Sequence, residues 1–534
     1  VSRLPFFAVH GLLLTVPLLA GLQNIGLWLF FLAVLASLLM GIHDMQQTQH
    51  SLRRNFPVLG RMRWGLETLR PFIQQYFLEA DTDGAPISRM YRAIAYQRAK
   101  GELASVPFGT RLDTDEEGYE WMAHSIAARD IHDLDPDPRV LIGAQRCRLP
   151  YAASLLNISA MSFGALSSNA IRALNRGARA GGFYHNTGEG GLSDYHREYG
   201  ADLVWQIGTG YFGCRDEQGR FDAQRFADTA AAEQVRMIEV KLSQGAKPGH
   251  GGILPASKNT ALIARIRQVR EGTEVVSPSA HTAFDSPAGL LAFLGQLREL
   301  SGGKPVGFKL CIGQPEEFIA ICKAILDSGE CPDFITVDGA EGGTGAAPLE
   351  YSNHVGMPLR DGLAFVVDTL TGFGLREQVR VIAAGKIITG FHMARALALG
   401  ADLCNSARGM MLALGCVQSL ECHSNRCPTG ITTQDPRRVR GLDVADKGTR
   451  VARFHAETVH ALLDLTSSAG LAAPGELRRE HIFRRIDMAT VRRYDELFPV
   501  PETGAWLAAT ASSPVYPYLR RARSDSFAPP ETGT

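Results

Sequence analysis

The 534 residues carry no net charge, because 55 basic and 55 acidic side chains cancel. That balance leaves no electrostatic footprint for a nucleic acid or an acidic polymer. Cysteine is scarce: nine in so long a chain make no disulfide scaffold. Six of them, Cys147, Cys214, Cys311, Cys322, Cys331 and Cys404, are scattered as small buried apolar residues would be. No repeat of solenoid period is present. No Gly-x-Gly-x-x-Gly follows the first strand-like run, so the strongest mark of a dinucleotide-binding sheet is missing.

The other three thiols are crowded into Gly415-Cys416-Val-Gln-Ser-Leu-Glu-Cys422-His-Ser-Asn-Arg-Cys427-Pro428. In a cytosol-facing protein a Cys-x5-Cys-x4-Cys spacing argues for a metal or iron–sulfur site before a disulfide. Three thiolates suit a three-iron cluster, since a four-iron cluster normally takes a fourth cysteine. His423 keeps open a Cys3His zinc site.

Phe6 to Leu22 and Ile25 to Ile42 are apolar runs broken by Gln23-Asn24, and neither holds a charged side chain. They read as a transmembrane hairpin in residues 1–45, each run near the lower length for spanning. A signal peptide is the alternative, although no small-residue cleavage site follows the first run. Arg3 before the hairpin and Arg53, Arg54, Arg61 and Arg63 after it put both ends, and the catalytic body, in the cytoplasm.

Residues 46–150 form a mixed, polar lead-in expected to pack on the main domain, with helical periodicity around Leu66 to Phe77. Eight short β-branched or aromatic runs then alternate with helical stretches: Leu155–Ala160, Phe183–Asn186, Leu203–Ile207, Met237–Leu242, Val306–Cys311, Phe334–Val337, Val379–Ala383 and Asp402–Asn405. Eight βα units predict an α/β (β/α)8 barrel over 151–440, with an open doubly wound sheet as the fallback. A helical extension is expected over 441–520, led by an amphipathic helix from Val451 to Ser467 with shorter helices from Pro474 to Tyr494. A tail at 521–534, rich in Ser, Pro, Thr and Gly, reads as disordered.

In such a barrel the chemistry sits where the strands end. The loops there carry Met161 and Ser162 after the first strand, Glu189 in Asn186-Thr-Gly-Glu-Gly-Gly191, and Gln206 on the third strand. The fourth continues as Lys241-Leu-Ser-Gln244-Gly-Ala-Lys247-Pro-Gly-His250. The fifth carries Lys309, and the sixth ends in Gly342-Gly343-Thr344-Gly345. The seventh ends in Gly385-Lys386 and the eighth in Ala407-Arg408. Glycines admit a large planar or phosphorylated ligand to the backbone, and lysines add positive charge. Gly385, Lys386 and Arg408 form the phosphate site expected after strands seven and eight. One phosphate cradle fits flavin mononucleotide (FMN) better than a dinucleotide, with Lys309 near the pyrimidine end of the ring. Taken singly, each Gly-rich loop could be a tight turn and each lysine a solvated charge.

These segments resemble the synthase domain of glutamate synthase, and more closely the shorter bacterial FMN-binding members of that family with an N-terminal membrane segment. The carriers are Met161-Ser-Phe-Gly-Ala-Leu-Ser167, Asn186 to Gly191, Gln244-Gly-Ala-Lys-Pro-Gly249, Gly342 to Gly345, and the three cysteines followed by Pro428-Thr-Gly-Ile-Thr-Thr-Gln-Asp435. The resemblance covers roughly Arg53 to Pro499. It implies FMN and a [3Fe-4S] cluster on Cys416, Cys422 and Cys427. An external donor would supply electrons, and 2-oxoglutarate with ammonia would be reduced to L-glutamate. It places Glu189, Lys241, Gln244 and Lys247 around the keto acid and flavin. Glu189, Lys241 and Lys309 are the candidate catalytic residues, and Gln244 and Lys247 the candidate substrate ligands. No glutaminase domain is expected, so ammonia comes from elsewhere. His250, Ala340 with Glu341, and Ala283 replace the family's usual residues and question 2-oxoglutarate as substrate; His250 could equally be a solvated loop residue. Two other functions stay open: an FMN enzyme using another oxo-acid or imine with a membrane or ferredoxin-like donor, and a non-catalytic redox sensor.

Overall fold

A computed structural model describes residues 3–21, 24–102, 105 and 107–528. The chain divides into two compact units, Val1–Pro86 and Ile87–Thr534. The expected lead-in, residues 46–150, is thus divided between the two units at Pro86.

In the first unit helices Leu4–Leu19 and Ile25–Gln46 lie side by side. Asn24 starts the second by accepting a hydrogen bond from the Leu27 amide at 3.0 Å, an N-cap. His10 Nε2 lies 3.0 Å from Ser37 Oγ, and a Cβ at Gly41 would collide with the Phe6 ring. Among the described residues, Ile25–Gln46 is the one helix long and apolar enough to cross a membrane. At 1.5 Å per residue Leu4–Leu19 extends about 24 Å, short of a hydrocarbon core of roughly 30 Å. The expected pair of spanning helices is thus one of spanning length with a shorter apolar partner. Leu22 and Gln23 lie outside the described residues.

The second unit is built on eight parallel strands: β1 (Leu156–Ile158), β2 (His185–Asn186), β3 (Leu203–Ile207), β4 (Val235–Lys241), β5 (Val306–Leu310), β6 (Phe334–Asp338), β7 (Arg380–Ala384) and β8 (Leu403–Ser406). They close into one barrel with each strand beside its sequence neighbours and β8 beside β1. All eight coincide with the apolar runs read from the sequence, and closure excludes the open sheet. Every residue of β3, β5, β6 and β8 is buried. Strands covered on both faces are mostly apolar, which is why they read as near-continuous runs, with Gln206, Lys309 and Asn405 among the buried polar exceptions.

An antiparallel pair, Arg139–Ile142 with Tyr151–Ser154, plugs the amino-terminal end of the barrel. Its Ile142, Tyr151 and Ala153 pack with Val204, Met237, Phe334, Ile382 and Leu403 from the starts of the strands. Above that layer the interior turns polar: the buried Glu239 carboxylate accepts from Asn186 Nδ2 at 2.8 Å, Gln206 Nε2 at 2.6 Å and Thr336 Oγ1 at 2.6 Å. Helix Val444–Ser468 lies against Ser168–Gly181 at close range, since a Cβ at Gly177 would come within 2.6 Å of Val451 Cγ1.

Pro474 to Tyr494 holds two single turns and strands Ile482–Arg485 and Val491–Arg493, instead of short helices alone. Ile482–Arg485 pairs with Glu120–Met122 of the lead-in, a long-range partner that local periodicity does not reveal. The Glu120 carboxylate receives Arg360, Arg395, Arg484 and Tyr494 at 2.6–3.0 Å. Where disorder was expected, Arg521 closes helix Tyr516–Arg521. Lys323 Nζ holds the end of that helix through Leu519 O at 2.6 Å and Ala522 O at 3.0 Å. Residues 529–534 of the expected tail lie outside the described residues.

Candidate active site

The β2 loop reaches across the barrel mouth because its glycines let backbone touch backbone. A Cβ at Gly188 would lie 2.6 Å from the Ser162 amide nitrogen, so that glycine joins the β1 and β2 loops. Glu189 then turns over the end of β3, where a Cβ at Gly208 would collide with its carboxylate and one at Gly252 would come within 2.6 Å of Oε1. Lys241, the last residue of β4, meets it: Nζ lies 2.6 Å from Glu189 Oε1 and 2.8 Å from Gln244 Oε1. Gln244 Nε2 donates onward to Thr344 Oγ1 at 3.1 Å. One polar chain therefore links the ends of β2, β4 and β6. Burial would push the Glu189 carboxyl up, but Lys241, with Arg267 and Lys247 behind it, outweighs burial and holds it below its ordinary value. Burial, reinforced by the Lys241 charge, brings Lys247 down to about 8.

Lys309 on β5 is buried and paired with Asp338 at the end of β6, 3.0 Å away. Burial would lower its pKa, yet Asp338 and the nearby Glu239 more than offset this and raise it. The ammonium stays charged, with part of its field spent on Asp338. The Gly245 amide donates to the same oxygen, Asp338 Oδ2, at 3.0 Å.

At β7 and β8 the backbone itself opens. Gly385 has φ +142° and Lys386 φ +49°, the second an unusual conformation for a side chain larger than glycine. Arg408 Nη2 donates to Thr344 O at 2.6 Å, and a Cβ at Gly343 would collide with the same guanidinium. Gly343 is thus the residue that lets the β6 loop lie along Arg408.

These ends enclose one cavity. Its lining includes every expected catalytic, substrate and flavin residue: Met161, Ser162, Glu189, Gln206, Lys241, Gln244, Lys247, Lys309, Gly342, Gly343, Thr344, Gly385, Lys386, Ala407 and Arg408. About 170 Å³ of it is open to the centres of water molecules, whereas a single water needs roughly 10–15 Å³ on that measure. The lining also brings in Lys258, Arg267 and Asp338, which were not singled out as site residues. Arg267 Nη2 donates to Ser162 Oγ at 3.3 Å and Phe163 O at 3.2 Å. Burial brings Arg267 down to about 10, opposed by Glu189. Lys258 and Arg267 come from the long segment between β4 and β5, where no strand end marks them. Seven cations thus face two carboxylates, Glu189 and Asp338.

Ala340, Ala283 and His250 lie outside this lining. Glu341 instead accepts from the Leu359 amide at 2.9 Å, at the start of helix Leu359–Gly372. His250 meets the Tyr351 ring edge-on at 5.4 Å.

Of the three clustered cysteines, Cys422 lines the cavity, together with His423. Burial pushes the Cys416 thiol up, and Cys422 and Cys427 are near enough to push it further. Burial acts the same way on Cys427, but hydrogen bonds involving Thr429 and Thr432 win and hold its thiol below the usual range. Among the described residues no three His, Cys, Asp or Glu side chains converge closely enough to hold one ion. A cluster on these thiols has to draw them together.

The donor types match both expected groups, while the thiols are not drawn together around one ion among the described residues. Three neighbouring thiols suit iron–sulfur ligation, and a glycine-opened, cation-rich rim at β7 and β8 suits a phosphate monoester.

A family profile described as a conserved region in glutamate synthase matches residues 117–472. The chain is 37% identical over 494 residues to the glutamate synthase large subunit-like protein YerD of Bacillus subtilis (strain 168), covering 85% of this chain and 94% of that one. It is 35% identical over 322 residues to the archaeal glutamate synthase (NADPH) of Methanocaldococcus jannaschii, covering 60% of each. Against the archaeal-type glutamate synthase (NADPH) of Thermotoga maritima it is 34% identical over 321 residues, again 60% of each. The chain thus spans about 60% of the length of those archaeal-type relatives.

Proposed function

The chain belongs to the glutamate synthase family, and on that premise we propose that it is an FMN and iron–sulfur oxidoreductase that reductively aminates 2-oxoglutarate with ammonia to L-glutamate. The observation that carries this reading is the excess of seven cations over two carboxylates around one cavity. Such a site favours ligands bearing several negative charges, and a flavin phosphate together with a dicarboxylate meets that requirement.

Gly385, Lys386 and Arg408 would hold the phosphate, with Gly342, Gly343 and Thr344 along its edge and Lys309 within the barrel mouth. When bound, FMN supplies hydride transfer to a carbon–nitrogen double bond. Lys247 and Arg267 supply cations for the two carboxylates of the keto acid. Lys241 Nζ, hydrogen-bonded between Glu189 and Gln244, is the donor that can deliver a proton as ammonia condenses with the keto carbon and water leaves. Cys416, Cys422 and Cys427 would carry the [3Fe-4S] cluster, and Cys422 at the cavity wall brings that loop beside the flavin position. The electron donor and the ammonia source are separate partners.

Helix Ile25–Gln46 supports a membrane tether, with the arginines beyond it favouring a cytoplasmic catalytic unit. Protein purified without oxygen should show flavin absorbance, iron and sulfide, and the resonance of an oxidised three-iron cluster. It should form glutamate from 2-oxoglutarate, ammonia and a reduced dye. Intact cofactors with no glutamate would overturn the substrate assignment and leave the oxidoreductase one standing.

A further inference from the structure

Helix Met62–Ile73, extended by the wider turn Gln74–Leu78, buries none of its side chains and carries an exposed apolar stripe. At 100° per residue, Met62, Leu66, Leu69 and Ile73 fall within an arc of about 60°. Phe77 lies next to that arc and Phe72 about 60° beyond its edge, and all six are exposed, Phe77 at 82%. Trp64, on the opposite side, is the partly covered residue: the Arg53 guanidinium lies 4.3 Å above its ring and the His50 ring is 5.0 Å away. A surface helix of a water-soluble body buries its apolar stripe. This one covers only Trp64, on the other side, and leaves the whole stripe exposed.

Charge says what covers it. Residues 51–78 contain Arg53, Arg54, Arg61, Arg63 and Arg70 against Glu67 as the sole acid. Arg63 and Arg70 sit roughly 70–90° from the centre of the stripe, where their stems can run along apolar surface while the guanidinium reaches a phosphate. The start of the helix is also fixed in place. Asp44, fully buried at the end of helix Ile25–Gln46, accepts from the Val58 amide at 3.0 Å and pairs with Arg61 at 2.7 Å. The amphipathic segment therefore begins where the spanning-length helix leaves the hydrocarbon.

The geometry points to residues 62–78 as an interfacial helix that lies in the headgroup layer of an anionic bilayer, apolar stripe toward the acyl chains and arginines on lipid phosphates. This rests on the membrane-tether reading given above.

The full chain in lipid nanodiscs tests it, with a photoactivatable benzophenone amino acid placed at Phe72 or Phe77, at Thr68 on the side away from the stripe, and at Leu32 in the apolar helix. Lipid adducts are expected from positions 72, 77 and 32, and loss of them at 68. Arg63→Gln with Arg70→Gln should lower the yield at position 77 several-fold in discs containing phosphatidylglycerol and leave it unchanged in phosphatidylcholine alone. Adducts from 72 and 77 to protein, whether a second copy or another part of this chain, overturn the inference while position 32 still labels lipid. An absence of lipid adducts at 32 as well sinks the tether itself.

Discussion

Lys241 and Lys309 are Cα partners on adjacent strands β4 and β5, two buried ammonium groups side by side, and each has its own carboxylate: Glu189 at 2.6 Å and Asp338 at 3.0 Å. Like charges facing each other across a ladder repel, so the carboxylates are what allow both lysines to point into one cavity. One pair joins the β2 loop to β4 and the other joins β5 to β6, so the ion pairs lock the mouth of the barrel as they neutralise it.

Removing either carboxylate should therefore destabilise the fold as well as impair catalysis. Glu189→Gln and Asp338→Asn are each expected to lower unfolding free energy by about 3–5 kcal/mol, the cost of leaving one partner of a buried pair alone. Adding Lys241→Met to Glu189→Gln should restore much of that stability and no activity. Acid acts through the same pair. The folded state holds Glu189 below its ordinary value, so its contribution is present above the unfolded pKa of about 4.3 and is lost as pH falls through the folded value. Denaturant titrations from pH 6 downward should show a shallower acid loss in Glu189→Gln than in the parent.

Lys247 sets a limit on the alkaline side. Its pKa of about 8 means that a dicarboxylate loses one cation as pH rises past that value, and affinity should fall toward tenfold per pH unit. Stability moves the opposite way: between about 8 and the unfolded value near 10.4 the unfolded chain binds the extra proton, so folding is favoured as pH rises. Lys258 also lies near 8. Measuring the binding of a non-reacting dicarboxylate from pH 7 to 9.5 separates them: Lys247→Gln should abolish the pH dependence, and Lys258→Met should preserve it.

The barrel was legible in the sequence because strands buried on both faces are mostly apolar, and Leu203–Ile207 and Phe334–Val337 matched the observed strands within a residue. The cavity residues were legible for a related reason: Glu189, Lys241 and Lys386 are polar groups placed immediately after apolar runs. Arg267 and Lys258 carried no such mark. They ride on helix Ala261–Arg267 and the short turn Ala256–Lys258, inside an insertion whose strands, Ile253–Leu254 and Val275–Val276, are two residues each. Nothing local says which way that insertion folds. The same ignorance of loop direction made Glu341 look like a substrate neighbour, when it accepts from the first amide of a helix.

The phosphate rim gives a test separable from substrate chemistry. Lys386→Gln and Arg408→Gln should each weaken FMN binding by roughly 10- to 100-fold, the range of one charge-assisted hydrogen bond of about 1.5–3 kcal/mol. Gly343→Ala should do the same by displacing Arg408 from Thr344. The flavin-to-protein ratio after dialysis reads all three. Unchanged flavin retention in both charge variants would remove the phosphate from this rim.

Lys258 joins the flavin cavity to the thiol loop, and iron should depend on it more than flavin does. Its buried ammonium donates to Cys422 O at 2.7 Å and to Ala165 O at 3.2 Å, one carbonyl from each side. The next contact is parallel: Asn425 Nδ2 donates to Ser257 O at 3.1 Å. Methionine at 258 keeps the volume but leaves the two carbonyls without their donor, a penalty of about 1–3 kcal/mol for each one kept from water. The thiol loop bears that loss most directly, because Cys422 itself is released while Ala165 remains within the β1 loop that Gln434 secures through Gly164 O and Leu166 O. Lys258→Met is therefore expected to lower iron and sulfide per chain severalfold at nearly constant flavin content, and to broaden the resonance of whatever cluster remains. Equal loss of both groups would instead mean that the ammonium supports the cavity as a whole, and unchanged iron would mean that the thiol loop holds its own shape.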